Sequence, residues 1–181
     1  MKRSEYKNMQ RAALSYYQKA GIVLTDDEKT RIEVADFGLN TVAQVGLEIL
    51  TYINTERVCA KEMVLLPHQA CPEHRHVFTD GQPGKEETFR CRWGKVYLYT
   101  DTNKGAARER IAAPIPPTTV TVFDEHVLMP GDQYTIYPET LHWFSAGEEG
   151  AVISEFSTHS TDETDEFTDT RIVRMPVVEE D

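Results

Sequence analysis

The chain has 181 residues and a formal net charge of −11 at pH 7. A surface this acidic repels nucleic-acid phosphates and anionic lipids, so we expect neither nucleic acid nor a membrane as a partner. No apolar run in the sequence is long enough to span a bilayer. Three cysteines without a CxxC pair argue against a disulfide framework and for a reducing compartment, which favours a cytoplasmic protein.

Residues 1–36 are predicted to form an N-terminal helical segment. One set of residues repeats at the spacing of a helix face: Met9, Ala13, Tyr16, Tyr17 and Ala20. Gly21 is suited to end that helix, because glycine readily adopts the left-handed conformation found after helix ends. The run Thr25-Asp26-Asp27-Glu28 has the form of a capping box and predicts a second short helix.

After Gly38 the hydrophobic period changes from that of a helix to that of a strand. Val45, Leu47, Ile49 and Ile53 alternate with more polar residues. Further strands are predicted at residues 57–66, 87–100, 118–128, 133–137, 142–146 and 151–157, separated by Gly, Pro and charged turns. Many short strands without intervening helices indicate an all-β antiparallel sandwich or barrel over residues 38–157.

The sequence contains no linker and no internal repeat, so we expect a single domain over residues 1–181. Residues 158–181 are expected to form an acidic loop and a C-terminal tail. The run Thr161-Asp162-Glu163-Thr164-Asp165-Glu166 is typical of a solvated loop. Residues 177–181 are typical of a loose tail.

His74 and His76, in the run Cys71-Pro72-Glu73-His74-Arg75-His76, form the first half of a predicted metal site. Alternate side chains of a strand point to the same face, so these two imidazoles can reach one ion. Burying two such imidazoles without a shared partner is costly. His142 supplies a third nitrogen, on a face that it shares with Phe144.

Glu87 completes the predicted ligand set. On the strand that begins at Glu86, the face of Glu87 also carries Phe89 and Cys91, whereas Glu86 belongs to the solvent face. Three nitrogens and one carboxylate suit Mn, Fe, Co, Ni or Zn. We therefore predict metal binding by His74, His76, Glu87 and His142; a hydrogen-bonded polar cluster is the alternative.

The remaining histidines and the cysteines are expected to have no metal role. His68, His126 and His159 stand alone in turn-like or polar surroundings and are predicted to lie at the surface. Cys71 and His74 resemble half of a closed zinc site, but the sequence has no second half. All three cysteines are therefore expected in the core or at strand ends.

The chain resembles the cupins at these residues. The cupin pattern places Gly, His-x-His, Glu and Gly in a first motif and Pro-x-Gly-x-x-His in a second. The matching positions here are His74, His76, Glu87, Gly94 and His142. The departures fall on turn positions; for example, Tyr137 and Glu139 replace a Pro and a Gly. The resemblance implies a double-stranded β-helix, or jelly roll, around a metal site.

Within the cupins, the chain resembles the small bacterial D-lyxose isomerases over roughly residues 12–172. Five specific runs of residues carry this closer resemblance. They are Tyr16-Tyr17-Gln18-Lys19-Ala20-Gly21, Cys59-Ala60-Lys61-Glu62, Cys71-Pro72-Glu73-His74-Arg75-His76, Glu87-Thr88-Phe89-Arg90-Cys91-Arg92 and Phe167-Thr168-Asp169. This resemblance implies Mn²⁺ as the preferred metal, with Co²⁺, Fe²⁺, Ni²⁺ and Zn²⁺ as other candidates. It also implies a homodimer, and interconversion of D-lyxose with D-xylulose and of D-mannose with D-fructose.

Such an isomerisation needs proton transfer at carbon through an enediol held by a metal ion that acts as a Lewis acid. Glu155 lies in a strand with Ile153 on its face and is predicted to transfer the proton. The alternative is a rim residue that faces water. Lys61 shares a face with Cys59 and Met63, and is predicted to neutralise or protonate the oxyanion. The alternative is a lysine that snorkels to solvent.

Asp169 and Arg171 match the family's C-terminal Asp and Arg near the pocket. The resemblance assigns them to sugar hydroxyls or to closure of the site. With Lys61 and Glu155 they form the predicted substrate-binding set.

A neutral monosaccharide is the predicted substrate. Recognition of a sugar phosphate calls for clustered cations beside the metal, but Arg90 and Arg92 fall on the outward parity of their strand. An Fe-dependent cupin dioxygenase and a non-catalytic sugar-binding cupin are the alternative functions.

Overall fold

The computed structural model describes residues 1–79, 81–102, 105–175 and 177–181. Two helices, α1 (Arg3–Lys19) and α2 (Asp26–Thr30), precede the sheet. The strands among the described residues are β1 (Glu33–Ala35), β2 (Leu47–Asn54), β3 (Cys59–Leu65), β4 (Ala70–Arg75), β5 (Glu87–Thr100), β6 (Asp124–Leu128), β7 (Gln133–Ile136), β8 (His142–Ser157) and β9 (Glu166–Phe167).

β5 and β8 are long and bent, and they divide the strands into two facing sheets. The second half of β8 pairs with β3 and with the first half of β5, whereas its first half pairs with β4 and with the second half of β5. One sheet has the order β1-β2-β3-β8-β5-β7 and the other β9-β4-β8-β5-β6. All pairs between these strands are antiparallel, and the all-β jelly-roll prediction is confirmed.

Glycines allow the bend. Gly94 has φ +75° and Gly150 has φ +89°, and a Cβ on Gly94 would lie 2.1 Å from the carbonyl oxygen of Gly150. The ladder between β5 and β8 slips here, so residues 147–150 form a bulge. The predicted turn between strands 142–146 and 151–157 is therefore wrong, because β8 continues through it.

The two N-terminal helices form where the sequence predicts them, but the predicted helical segment extends too far towards the C-terminus. Gly21, just past α1, has φ +71°, and Thr25 and Glu28 form the expected capping box of α2. Glu33–Ala35 is a strand that pairs with β2, so the helical prediction for these residues is wrong. No helix in the described ranges has the length and apolar composition to cross a membrane.

The predicted strand at 118–128 is shorter than expected, since pairing begins only at Asp124. Buried Glu73 on β4 accepts hydrogen bonds from the backbone N–H groups of Thr121 (2.6 Å) and Val122 (3.0 Å). Because a carboxylate accepts from these N–H groups, residues 118–123 are not paired as a strand. They form a loop over the sheet, called here the covering loop.

The C-terminal tail is also more ordered than predicted. The backbone N–H of Glu179 donates to the carbonyl of Met1, and that of Arg3 donates to the carbonyl of Glu179. These bonds hold the tail against the start of α1, so the loose-tail prediction is wrong.

The interior between the two sheets is apolar. It includes Ile49 and Met63 from the first sheet, and Leu98 and Phe144 from the second. A smaller cluster, with Leu50 at its centre, packs α1 against the outer face of the first sheet. The polar side chains described below lie at the end of the sandwich farthest from the glycine bend.

Glu48 of β2 shares the face of Leu50 and is fully buried. Nε2 of Gln69 donates to one of its oxygens at 3.2 Å, and the other oxygen has no hydrogen-bond partner within the described part of the chain. Burial raises the pKa of Glu48 from its ordinary 4.5 to about 8.

This buried carboxyl makes stability depend on pH. The folded chain holds the Glu48 proton more tightly than the unfolded chain, so its contribution to stability is fully present below about pH 4.5 and is lost as pH rises towards 8. Over this range we expect the free energy of unfolding of the wild type to fall by on the order of 4 kcal/mol because of this group. In Glu48→Gln this fall should be absent.

Urea unfolding of wild type and Glu48→Gln between pH 5 and pH 8.5 measures this decline. Glu86→Gln, at an exposed position, is the control and should follow the wild type. Parallel pH profiles for wild type and Glu48→Gln would contradict the prediction.

Candidate metal centre and active site

Three histidines meet at the open end of the sandwich. His74 is on β4, His76 follows the end of β4, and His142 is the first residue of β8. Register brings them together, because His74 pairs directly with His142. One ring nitrogen of each lies within 4.8 Å of the others, and all three residues are buried.

Each imidazole is oriented by a hydrogen bond from its Nδ1–H. The acceptors are the carbonyl of Pro72 for His74 (2.8 Å), the carbonyl of Thr140 for His142 (2.9 Å) and Oδ1 of Asp165 for His76 (2.6 Å). This anchoring leaves Nε2 of each ring for the shared space, as in protein metal sites.

Glu87, the first residue of β5, places its carboxylate against the same nitrogens. Its Oε1 lies 3.2 Å from Nε2 of His76 and 3.2 Å from Nε2 of His142, while Oε2 lies 2.8 Å from Nζ of Lys85. The contact to His142 lacks hydrogen-bond geometry, so this buried nitrogen has no hydrogen-bond partner among the described residues. An unsatisfied imidazole beside two others and a carboxylate fits a first-row divalent cation.

The histidines differ in electrostatic surroundings. Burial, together with His142 and His76, holds the pKa of His74 well below its usual value, so this ring is neutral, as metal binding requires. For His76, burial and Lys85 oppose the charged form, but Glu87 and Asp165 outweigh them and raise its pKa to about 9. A cation at Nε2 would replace that proton.

Glu155 and Lys61 lie beside this cluster, on paired positions of β8 and β3. Both side chains are buried, so neither the water-facing rim position for Glu155 nor the snorkelling lysine is correct. Oε1 of Glu155 lies 3.6 Å from Nζ of Lys61 and 3.2 Å from Nζ of Lys85. A single carboxylate is therefore flanked by two ammonium groups.

Asp162, in the C-terminal segment, forms ion pairs with three cations of the site. Its carboxylate lies 2.6 Å from Nζ of Lys61, 3.2 Å from Nζ of Lys85 and 3.2 Å from Nη2 of Arg174. Burial opposes the charge on Asp162, but Lys85, Lys61 and Arg174 outweigh it and hold its pKa well below its usual value.

Lys85 occupies the centre of this network. Burial opposes its charge, but Asp162, Glu155 and Glu87 outweigh that effect and hold its pKa well above its usual value. The role of Lys85 was not predicted from the sequence, although this residue shares strand parity with Glu87 two residues later.

The roles of Asp162, Asp165 and Arg174 were also not predicted from the sequence. The prediction of a solvated loop over 161–166 is wrong for both aspartates, whose side chains are only 18% and 7% exposed, whereas Glu163 and Glu166 are exposed. The local sequence carried no signal for this difference, because it depends on contacts with residues far earlier in the chain.

Asp169 and Arg171 lie outside the residues that line the cavity at this site. Arg171 donates to Asp169 at 2.6 Å, Asp169 accepts from the backbone N–H of Thr119 at 3.0 Å, and Arg171 donates to the carbonyl of Pro117 at 3.1 Å. The pair fastens the C-terminal segment to the covering loop; direct contact with a sugar stays a prediction.

The cavity beside the histidines has a volume of about 30 Å³. The charged residues of its lining, called here the charged wall, are Lys61, Lys85, Glu87, Glu155, Asp162, Asp165 and Arg174. The phenylalanines of its lining, called here the aromatic wall, are Phe37, Phe89, Phe144 and Phe167. Ligand pockets for small molecules usually exceed several hundred Å³, so the site is closed in this structure.

The predicted locations of the other histidines and of the cysteines are largely confirmed. His68 and His159 are exposed and all three cysteines are buried, with Cys71 against the cavity. His126 is partly buried instead of fully at the surface, because its ring packs on Tyr134 at 4.2 Å.

Comparison with known proteins identifies the family. A family model described as D-lyxose isomerase matches residues 17–181. The D-lyxose ketol-isomerase of Cohnella laeviribosi is 52% identical over 181 residues, covering 100% of both chains. The D-lyxose/D-mannose isomerase of Thermosediminibacter oceani is 53% identical over 180 residues, covering 99% of each. This chain belongs to the D-lyxose isomerase family, and the predicted enzyme class, a sugar isomerase, is confirmed.

Solved structures agree with the fold. The crystal structure of Acinetobacter sp. DL28 L-ribose isomerase in complex with L-ribose matches with a TM-score of 0.76 at 15% identity, covering 99% of this chain and 98% of that chain. At this identity the likeness shows the cupin-like β-sandwich and nothing about the substrate.

The anchoring of His76 by Asp165 predicts a loss of metal affinity when it is removed. We expect Asp165→Ala to weaken binding of Mn²⁺ or Co²⁺ by about tenfold to a hundredfold, because the ring would lose its fixed orientation and tautomer. Competition against a fluorescent chelator measures the affinity.

Glu166→Ala is the matched control, since this exposed neighbour pairs with Arg75 on the surface. The control should bind metal like the wild type. Equal affinities for the two variants would show that Asp165 does not support the centre.

Proposed function

We propose that this protein is a metal-dependent aldose–ketose isomerase that interconverts D-lyxose with D-xylulose, and D-mannose with D-fructose. The observation that carries the proposal is the buried Glu155, flanked by Lys61 and Lys85 and adjacent to three histidines and Glu87. The names of the relatives support this choice of sugars.

The proposed metal ligands are His74, His76, Glu87 and His142, with Mn²⁺ as the preferred ion. Co²⁺, Fe²⁺, Ni²⁺ and Zn²⁺ suit the same donors. A bound cation of this kind supplies Lewis-acid stabilisation of the negative charge that develops on the sugar oxygens.

Glu155 is the proposed group that moves the proton at carbon. It removes the hydrogen from C2 of the aldose, which leaves an enediol, and returns it to C1 to give the ketose. The hydroxyl proton moves from O2 to O1 in the same conversion. Lys61 and Lys85 donate hydrogen bonds to the oxyanion while the charge is on oxygen.

A neutral sugar suits the charges of the site. Lys61, Lys85 and Arg174 each contact carboxylates within the cluster, among them Asp162 and Glu155. A phosphate would have to compete with these carboxylates for every cation, whereas sugar hydroxyls can both donate and accept hydrogen bonds.

Entry of the sugar requires movement of the C-terminal segment. Asp162, Phe167 and Arg174 contribute to the walls of a cavity of only about 30 Å³. A monosaccharide is larger than this space, so we propose that part of the segment opens during turnover. Homodimer formation and cytoplasmic location stay predictions from the sequence.

Metal removal and addition test the proposal as a whole. The chain is treated with a chelator, dialysed, supplied with Mn²⁺, and assayed for ketose formation from lyxose, mannose, ribose and sugar phosphates. We expect activity with lyxose and mannose only after metal is restored. Failure to isomerise any aldose would overturn the proposal, and oxygen consumption by the Fe-loaded protein would favour a dioxygenase.

Glu155→Gln tests the proton transfer. We expect kcat for lyxose to fall by about 10²–10⁴-fold, because the amide cannot accept the proton, while the metal content of the protein is unchanged. Glu86→Gln is the control at an exposed position. Full activity in Glu155→Gln would remove Glu155 from the mechanism and leave a sugar-binding role open.

Turnover in D₂O distinguishes an enediol from a hydride shift. Proton transfer through Glu155 predicts solvent deuterium at C1 of the ketose, since the carboxyl proton exchanges with water. A product without deuterium at carbon, together with full activity in Glu155→Gln, would indicate a direct hydride transfer.

A further inference from the structure

The aromatic wall of the cavity includes a series of ring contacts that starts at a proposed metal ligand. The ring of Phe167 lies 5.4 Å from that of His74, and the ring of Phe37 lies 5.9 Å from that of Phe167. The ring of Phe167 thus contacts both of the other rings. In this series Phe37 is two ring contacts from the proposed ligand His74, whereas Phe167 is one.

The backbone of Phe37 is held in an unfavourable conformation. Its φ of +52° lies in the left-handed region, which is uncommon for a bulky residue, and Gly38 follows with φ +72°. The backbone N–H of Val173 donates to the carbonyl of Phe37 at 3.0 Å, and Asp36 accepts from the N–H of Gly38 at 3.2 Å. Such strain persists where the surroundings fix it, and it is concentrated at functional positions.

Arg174 connects the charged wall to the strand that precedes Phe37. Arg174 lines the cavity and forms an ion pair of 2.5 Å with Glu33, on β1 just before the Phe37 turn. The ring of Phe37 itself is 1% exposed and belongs to the apolar core. Phe37 therefore contributes a rigidly supported aromatic side chain to the cavity lining.

We propose that the ring of Phe37 sets the chain length of the aldose. This inference rests on the proposed function. A sugar with C1 and C2 at the histidine cluster extends along the aromatic wall, with its C–H groups on the rings and its hydroxyls towards the charged wall. Its last carbon then meets Phe37, which accommodates C5 of a pentose more readily than C6 of a hexose.

Two truncations of Phe37 test this role. Phe37→Ala removes the ring, and Phe37→Gly removes it while also relieving the strain of positive φ. We expect both variants to increase the ratio of kcat/KM for mannose to that for lyxose by about tenfold, the lower range for one carbon in an apolar pocket. Thermal unfolding should show Phe37→Gly to be the more stable of the two, so a shared change in ratio cannot come from altered stability.

Phe37→Trp is the reciprocal variant and should lower the mannose-to-lyxose ratio. Phe144→Leu is the control, because this ring also lines the cavity but contacts the ring of Phe89 instead of that of Phe167. It should change the rates for the two sugars by similar factors. If wild type isomerises neither sugar, the proposed function fails; if the Phe37 variants isomerise both sugars with the wild-type ratio, only this inference is overturned.

Discussion

The ion network centred on Lys85 is the interaction on which the site depends. Its ammonium contacts Glu87, Glu155 and Asp162, which come from three separate parts of the chain. Lys85, Glu87 and Glu155 are buried and Asp162 is partly buried, and a buried charge is tolerated only when opposite charges surround it. The network therefore fixes the proposed metal carboxylate, the proposed base and the C-terminal segment relative to one another.

The two-sheet architecture makes this network possible. The bend at Gly94 and Gly150 folds β5 and β8 back over the core, so that each strand contributes to both sheets. As a result, Glu87 at one end of β5 faces His142, which pairs with Thr100 at the other end of the same strand. A straight sheet would keep these side chains far apart.

Local pattern was sufficient for much of the site. The spacing of His74 and His76, and the parity of Glu87, depend only on strand geometry, and the structure buries all three side chains together. The role of Lys85 could have been inferred from the same strand parity. However, Lys85 precedes β5, and its sequence context is typical of a turn. The alternation of residues also predicted most strands, with errors at their ends.

The rest could not be predicted from local pattern. Asp162 and Asp165 lie in a run of acidic and hydroxyl residues, and such a composition normally indicates solvent. They are buried because the chain returns across the open end of the sandwich, where lysines and His76 offer partners. The covering loop was predicted as part of a strand. It does not pair as a strand because the carboxylate of Glu73 on β4 accepts hydrogen bonds from its backbone N–H groups.

The position of these late residues has a consequence for biosynthesis. Asp162, Asp165 and Arg174 follow β8, the last long strand, yet they complete the surroundings of Lys61, Lys85 and His76. A nascent chain that still has this segment inside the ribosome has two lysines and an imidazole without their carboxylates. The proposed metal ligands therefore reach their final surroundings only after residues 162–174 have been synthesised and have left the ribosome.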